Sequence, residues 1–151
     1  MRRRRSGAIR YWLGGRFYTM AFDDWGDPAA PAVRCVHGLT GNGRDFARLA
    51  ASPADRHRVI CPAPQGRGRS DWLADPVLYQ THHYIGVLTH LLAWIGRDAA
   101  WLGTSLVGIC GMIAAAARGT PVTRLVLNDI GPFIPADAPR RIGAIRVFLA
   151  G

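Results

Sequence analysis

Short unbroken apolar runs recur along the chain and are separated by stretches of helical spacing. Ala32-Val33-Arg34-Cys35-Val36 ends abruptly in His37-Gly38, and Arg58-Val59-Ile60-Cys61 is stopped by Pro62 and Pro64. Ala99-Ala100-Trp101-Leu102 and Val122 to Leu127 follow the same pattern. Runs this short, flanked by Gly and Pro, read as buried strands. Between them, positions 84, 85, 87, 88, 91, 92 and 95 are apolar, which predicts a helix over 84–95 with a wide buried face. Residues 106–117 predict a second helix built of small residues, and Asn42-Gly43 opens a third helical stretch through Phe46, Leu49 and Ala50. Nearer the start, Tyr11-Trp12-Leu13, the Gly14-Gly15 pair and the aromatic stretch from Arg16 predict a hairpin that closes on Gly26-Asp27-Pro28. Strands that alternate with helices, most of them apolar throughout, predict an α/β fold with a doubly wound, mostly parallel sheet.

Composition sharpens this picture. The chain has 151 residues, enough for one domain, and 49% of them are hydrophobic. No apolar run approaches the roughly 18 residues of a membrane helix, so a spanning protein is not expected. Every one of the 19 basic residues is Arg and every one of the 10 acidic residues is Asp. Five units of the net charge of +9 belong to Arg2, Arg3, Arg4, Arg5 and Arg10, so residues 1–10 read as a solvated basic tail and the remainder is only mildly basic. No apolar stretch follows the four arginines, which predicts no secretory signal and a cytoplasmic location. Cys35, Cys61 and Cys110 are odd in number and widely spaced, and read as small buried hydrophobes. No cofactor and no metal site is expected.

Three segments carry candidate chemistry. Gly103-Thr104-Ser105 falls where a strand passes into a helix. A serine on such a turn is lifted out of the sheet, and the helix N-terminus behind it offers N–H groups to an oxyanion; the alternative is a plain N-cap. His37-Gly38-Leu39-Thr40-Gly41 follows an earlier strand and can aim the Leu39 N–H at the same crevice as that of Leu106. There His37 reads as a loop-bracing residue and not as a general base. Gly66-Arg67-Gly68-Arg69-Ser70 follows the next strand and lacks the further glycine and immediate helix of a dinucleotide loop.

In order and spacing, these three segments resemble the N-terminal part of an α/β-hydrolase-fold enzyme, and Leu125 to Pro132 resembles its sixth strand and exit loop. The resemblance covers about residues 16–135. It implies acyl transfer on a small-molecule ester by Ser105 as nucleophile, with the oxyanion held by Leu39 and Leu106 and the loops shaped by His37, Gly38 and Gly103. Asp129 is a candidate acid where the sixth strand supplies one; a structural hydrogen-bonding role is the favoured reading.

Against the family pattern, Val107 stands where the turn carries glycine, with Gly108 one place late, which predicts a strained or displaced turn. Ala63 stands where many members have a loop-ordering aspartate. All five histidines precede Ser105, whereas the family's base follows its acid. The expectation is therefore an incomplete fold, about six of eight strands. It divides into a disordered tail at 1–10, a core at 11–132 and the start of a cap helix at 133–151. Such a chain is expected to be inactive or weakly active, and its open sixth-strand edge to self-associate. No nucleic-acid or membrane partner is expected. The competing reading is a non-catalytic binding module whose arginine tail meets nucleic acid or an anionic surface.

Overall fold

The computed structural model describes residues 4–38 and 53–131. They form β1 (Arg5–Leu13), β2 (Arg16–Trp25), β3 (Ala32–Val36), β4 (Arg58–Pro62), α1 (Thr81–Ile95), β5 (Ala99–Thr104), α2 (Leu106–Ala116) and β6 (Val122–Asn128). Among the described residues the strands make one sheet in the order β1-β2-β4-β3-β5-β6. β1, β2 and β4 pair antiparallel in turn, whereas β4, β3, β5 and β6 run parallel. The expected architecture is thus present, and each of the four parallel strands lies within two residues of its apolar run. No helix among the described residues is long and apolar enough to cross a membrane.

The first hairpin turns on Gly14 and Gly15, with φ of 56° and 81°. Two consecutive left-handed residues give the tight turn whose twist matches the flanking strands, and glycine adopts it without a Cβ penalty. β1 begins at Arg5, which corrects the expectation of a solvated tail over 1–10. Gly7, Ile9 and Tyr11 alternate with exposed Ser6, Ala8, Arg10 and Trp12, so a period-two pattern was hidden behind the arginine run. Arg4 and Arg5 lie 3.7 Å from Asp23 and 3.2 Å from Asp24, respectively. The predicted helix at 42–50 and the cap helix at 133–151 lie outside the described residues.

The main core fills one face of the sheet. Tyr84, Val87, Leu88, Leu91, Leu92 and Ile95 of α1 meet Met20, Val36, Ile60 and Trp101 from the strands and Val107, Cys110 and Ala114 from α2. At roughly 1.5–3 kcal/mol for each large apolar side chain removed from water, this layer dominates the stability of the fold. A smaller cluster of Cys35, Val59 and Cys61 lies apart from it, flanked by Trp25, Val33 and Leu102. All three cysteines are free and buried, as expected of small hydrophobes.

The loop after β4 is ordered without the aspartate that Ala63 replaces. The Ser70 hydroxyl donates to the Ala63 carbonyl and accepts from the Ala21 N–H at 2.8 Å. Asp71 Oδ2 accepts from the Thr19 N–H at 2.7 Å, and the Asp71 N–H returns to the Thr19 carbonyl. The loop is stitched to β2 by Ser70 and Asp71 instead.

Candidate active site

The carboxyl ends of β3, β4, β5 and β6 meet at one rim, where an open parallel sheet presents its ligand crevice. β5 ends at Thr104, and Ser105 turns the chain into α2 with φ 53° and ψ −125°. A non-glycine residue in that region costs on the order of 1–3 kcal/mol and persists only where its surroundings over-determine it. Three hydrogen bonds do so here. The Ser105 N–H donates to the Asn128 carbonyl at 3.1 Å, and the Ser105 carbonyl accepts from Gly108 at 2.8 Å and Ile109 at 3.3 Å. Ser105 occupies the N-cap position of α2, yet its side chain makes no capping hydrogen bond. The hydroxyl is therefore not consumed by the helix.

Close backbone approach explains the glycines around the turn. A Cβ on Gly103 would stand 2.6 Å from the Val107 carbonyl oxygen and 2.8 Å from Trp101 Nε1, and one on Gly111 would also meet Trp101 Nε1 at 2.8 Å. The expectation that Val107 would strain or displace the turn is corrected. The tight contacts fall on Gly103, Gly108 and Gly111, while the Val107 side chain packs into the main core at 2% exposure.

The His37-Gly38 loop reaches this turn. A Cβ on Gly38 would lie 3.4 Å from Ser105 Cβ, so the two loops approach to about the width of one methyl group. His37 is buried, with Nδ1 2.9 Å from the Gly38 carbonyl oxygen. Together His37, Gly38, Pro64, Arg67, Tyr84, Leu106 and Val107 line a small cleft. Leu106, the first residue of α2, is among the lining residues, whereas Leu39 lies outside the described residues. Asp129 follows the residue whose carbonyl holds Ser105. It is exposed and has φ 56°.

Sequence reasoning passed over three side chains near the site. Arg67 belonged to a recognised segment but was assigned no role, and Tyr84 was read only as core. Arg34 was read only as a member of the apolar run Ala32–Val36. It is wholly buried, with its guanidinium 3.3 Å from the centre of the Trp101 ring and Nη1 donating to the Leu88 carbonyl. Nε and Nη2 meet no acceptor among the described residues. Burial holds this guanidinium well below its usual range.

A parallel sheet with a strained serine at the strand-to-helix turn defines a class, and comparison with known proteins agrees. The chain belongs to the alpha/beta hydrolase fold family, whose model matches residues 31–147. It is 44% identical over 142 residues to the 3-hydroxybutyrate-oligomer hydrolase of Cupriavidus necator, covering 93% of this chain and 48% of that one. A crystal structure of an alpha/beta hydrolase from Novosphingobium aromaticivorans superposes with a TM-score of 0.82 at 37% identity, over 95% of this chain and 50% of the other. The thioesterase domain from the curacin biosynthetic pathway shares the fold at 20% identity and a TM-score of 0.77, over 97% of this chain and 54% of that one. The chain thus spans about half the length of these relatives.

Proposed function

We propose that this chain carries the nucleophile half of a serine hydrolase site that cleaves carboxylic esters. Ser105 attacks the ester carbonyl, the N–H groups of Leu39 and Leu106 hold the oxyanion, and His37, Gly38 and Gly103 shape the loops that bring those donors together. The observation that carries the reading is the Ser105 turn, held at positive φ with its hydroxyl left out of the helix cap. Asp129 is the candidate acid, standing one residue beyond the carbonyl that fixes Ser105. No histidine follows Ser105 in the 151 residues, so none of the five is assigned the general base. The name of the C. necator relative makes an oligomeric hydroxyacid ester the first substrate to try.

Without a base, such a site retains only about 10³–10⁴-fold acceleration over water. A fluorophosphonate probe incubated with the 151-residue chain should therefore label slowly, with the adduct mapping to Ser105 and disappearing in Ser105→Ala. Labelling that persists in that variant, or maps to another residue, refutes the assignment. Fast ester turnover that depends on Ser105 would keep the nucleophile and overturn the expectation of weak activity.

A further inference from the structure

Two of the three free cysteines face each other across neighbouring strands. β3 and β4 run parallel, with Val33 opposite Val59 and Arg34 opposite Ile60, so the next pair in register is Cys35 and Cys61. Side chains alternate across a strand, and both cysteines lie in the smaller cluster with Val59, while Val36 and Ile60 beside them join the main core on the other face. Neighbouring strands lie about 4.8 Å apart, inside the roughly 4.4–6.8 Å between Cα atoms that a disulfide spans. Side-chain rotation and about 1 Å of approach between the Cβ atoms therefore close such a bond.

The two thiols are not alike. The Cys61 S–H donates to the Cys35 sulfur, which holds Cys35 below the usual thiol range against the opposing effect of burial. The same hydrogen bond, burial and the nearby charges of Asp23 and Asp24 push Cys61 up. Cys35 is thus the attacking thiolate and Cys61 the resolving thiol, because the thiolate is the nucleophile. Both residues are only 2% exposed, but their cover is thin: Trp25, Val33 and Leu102, which pack against them, are themselves only partly buried. A small oxidant reaches the sulfur when those side chains rotate. Cys110 differs, because it lies in the main core across the sheet and shares its cluster with no other thiol.

We propose that Cys35 and Cys61 are a dithiol modification site that hydrogen peroxide closes to a disulfide. The Cys35 sulfur attacks one peroxide oxygen. An S–O bond forms as the O–O bond breaks, and the departing hydroxide takes up the Cys35 proton as water, leaving a sulfenic acid. The Cys61 sulfur then attacks Cys35, the S–S bond forms as the S–O bond breaks, and a second water leaves with the Cys61 proton. Two electrons pass from the thiols to the peroxide. β3 runs on into His37 and Gly38, and the chain after β4 into Pro64 and Arg67, all of which line the cleft. The bond thus ties together the roots of two loops at the candidate site, and it is independent of the chemistry assigned to Ser105.

Brief treatment of the folded 151-residue chain with millimolar hydrogen peroxide, followed by denaturation and alkylation, tests this. Alkylatable thiols should fall from three to one, and the intact mass by that of two hydrogen atoms. A tryptic map should join peptides 35–44 and 59–67, with Cys110 alkylated in peptide 98–118, and dithiothreitol should restore all three thiols. In Cys61→Ser, dimedone should trap a sulfenic acid at Cys35, whereas in Cys35→Ser, Cys61 should stay reduced severalfold longer. Should either variant misfold, the parent chain decides alone: the Cys35–Cys61 link forms in buffer, while the urea-unfolded chain scatters its links among all three cysteines. Three free thiols after treatment, or oxidation that starts only where urea unfolds the chain, overturns the proposal. So do links from the folded chain to Cys110 or between chains, or a sulfinic acid at Cys35 with no link.

Discussion

β3 and β6 flank β5 on its two edges, and each carries an arginine within an apolar run. Arg34 of β3 lies opposite Trp101 and Arg124 of β6 opposite Ala100. β3 has a second neighbour in β4 and packs beneath α1, so that Ala32, Arg34, Cys35 and Val36 are all buried. Among the described residues β6 pairs along one edge only, and from Arg124 to Asn128 it alternates between exposed and partly buried positions. The same kind of sequence is therefore core on one flank and surface on the other, and the difference lies in what covers it. Ser105 stands where the two flanks meet: α2 holds its carbonyl and β6 holds its N–H.

The comparison fails most visibly if the β3 flank is not the stability centre. Trp101 is fully buried between Arg34 and the backbones of Gly103 and Gly111. Trp101→Ala removes the ring and leaves the guanidinium of Arg34 without its partner, at a cost of about 3–5 kcal/mol. That is a large share of the roughly 5–15 kcal/mol of a typical domain, so urea denaturation should show partial or complete unfolding without denaturant. A loss below about 1 kcal/mol would show that the two flanks are equally soft.

Alkaline pH probes the same flank. Burial raises the Cys110 thiol from 9.0 to about 11, against the opposing pull of Arg34. The unfolded chain ionises this thiol first. The contribution is therefore fully present below pH 9 and lost as pH climbs through 11, an effect of about 3 kcal/mol for two units at about 1.4 each. Tyr11 and Cys61, also raised by their surroundings, add to the same decline. The measurement is therefore the change in slope between the parent and Cys110→Ala, from denaturation midpoints between pH 8 and 11. Parallel slopes would count against a buried neutral thiol.

How far these features were legible depended on whether burial follows from local pattern. β3 and β4 were visible as apolar runs because a parallel strand covered on both faces needs no alternation, and β5 and β6 because their sequences are as apolar even where one face is only partly covered. The Ser105 turn was visible because Gly103 marks a close backbone approach at a strand end. β1 was obscured: its alternation is carried by Gly7, Ile9 and Tyr11, and the arginines before them look like a tail. Arg34 was illegible because its burial depends on an indole 67 positions later in the chain. Val107 misled for a related reason. A β-branched residue is costly only where its side chain meets close neighbours, and here the close neighbours, the Val107 carbonyl and the Ile130 side chain, crowd Gly103 and Gly108.

A smaller effect separates the turn from its supports. A methyl group at Gly103 meets the Val107 carbonyl, which as helix backbone cannot swing aside. Gly103→Ala should cost about 1–3 kcal/mol through overpacking and displace Ser105. Fluorophosphonate labelling should drop by more than the fraction unfolded explains, since the turn is distorted in molecules that still fold. Labelling that falls only in step with unfolding would place the glycine in the core and not in the site.

The smallest expected change in stability is on the β6 flank. Val126 is 51% exposed, and the outer edge of β6 has no strand partner among the described residues. Exposed substitutions away from caps and networks stay within about 0.5 kcal/mol, so Val126→Lys should leave the urea midpoint nearly unchanged. Its effect should appear in association instead. A bare apolar edge offers unpaired N–H and C=O groups to another chain, and a lysine on it opposes such pairing. Sedimentation velocity of the 151-residue chain should therefore show larger species for the parent and fewer for Val126→Lys. If both sediment as one small species, β6 is protected by some other means and its exposure carries no cost; if both associate alike, the contact lies elsewhere on the surface.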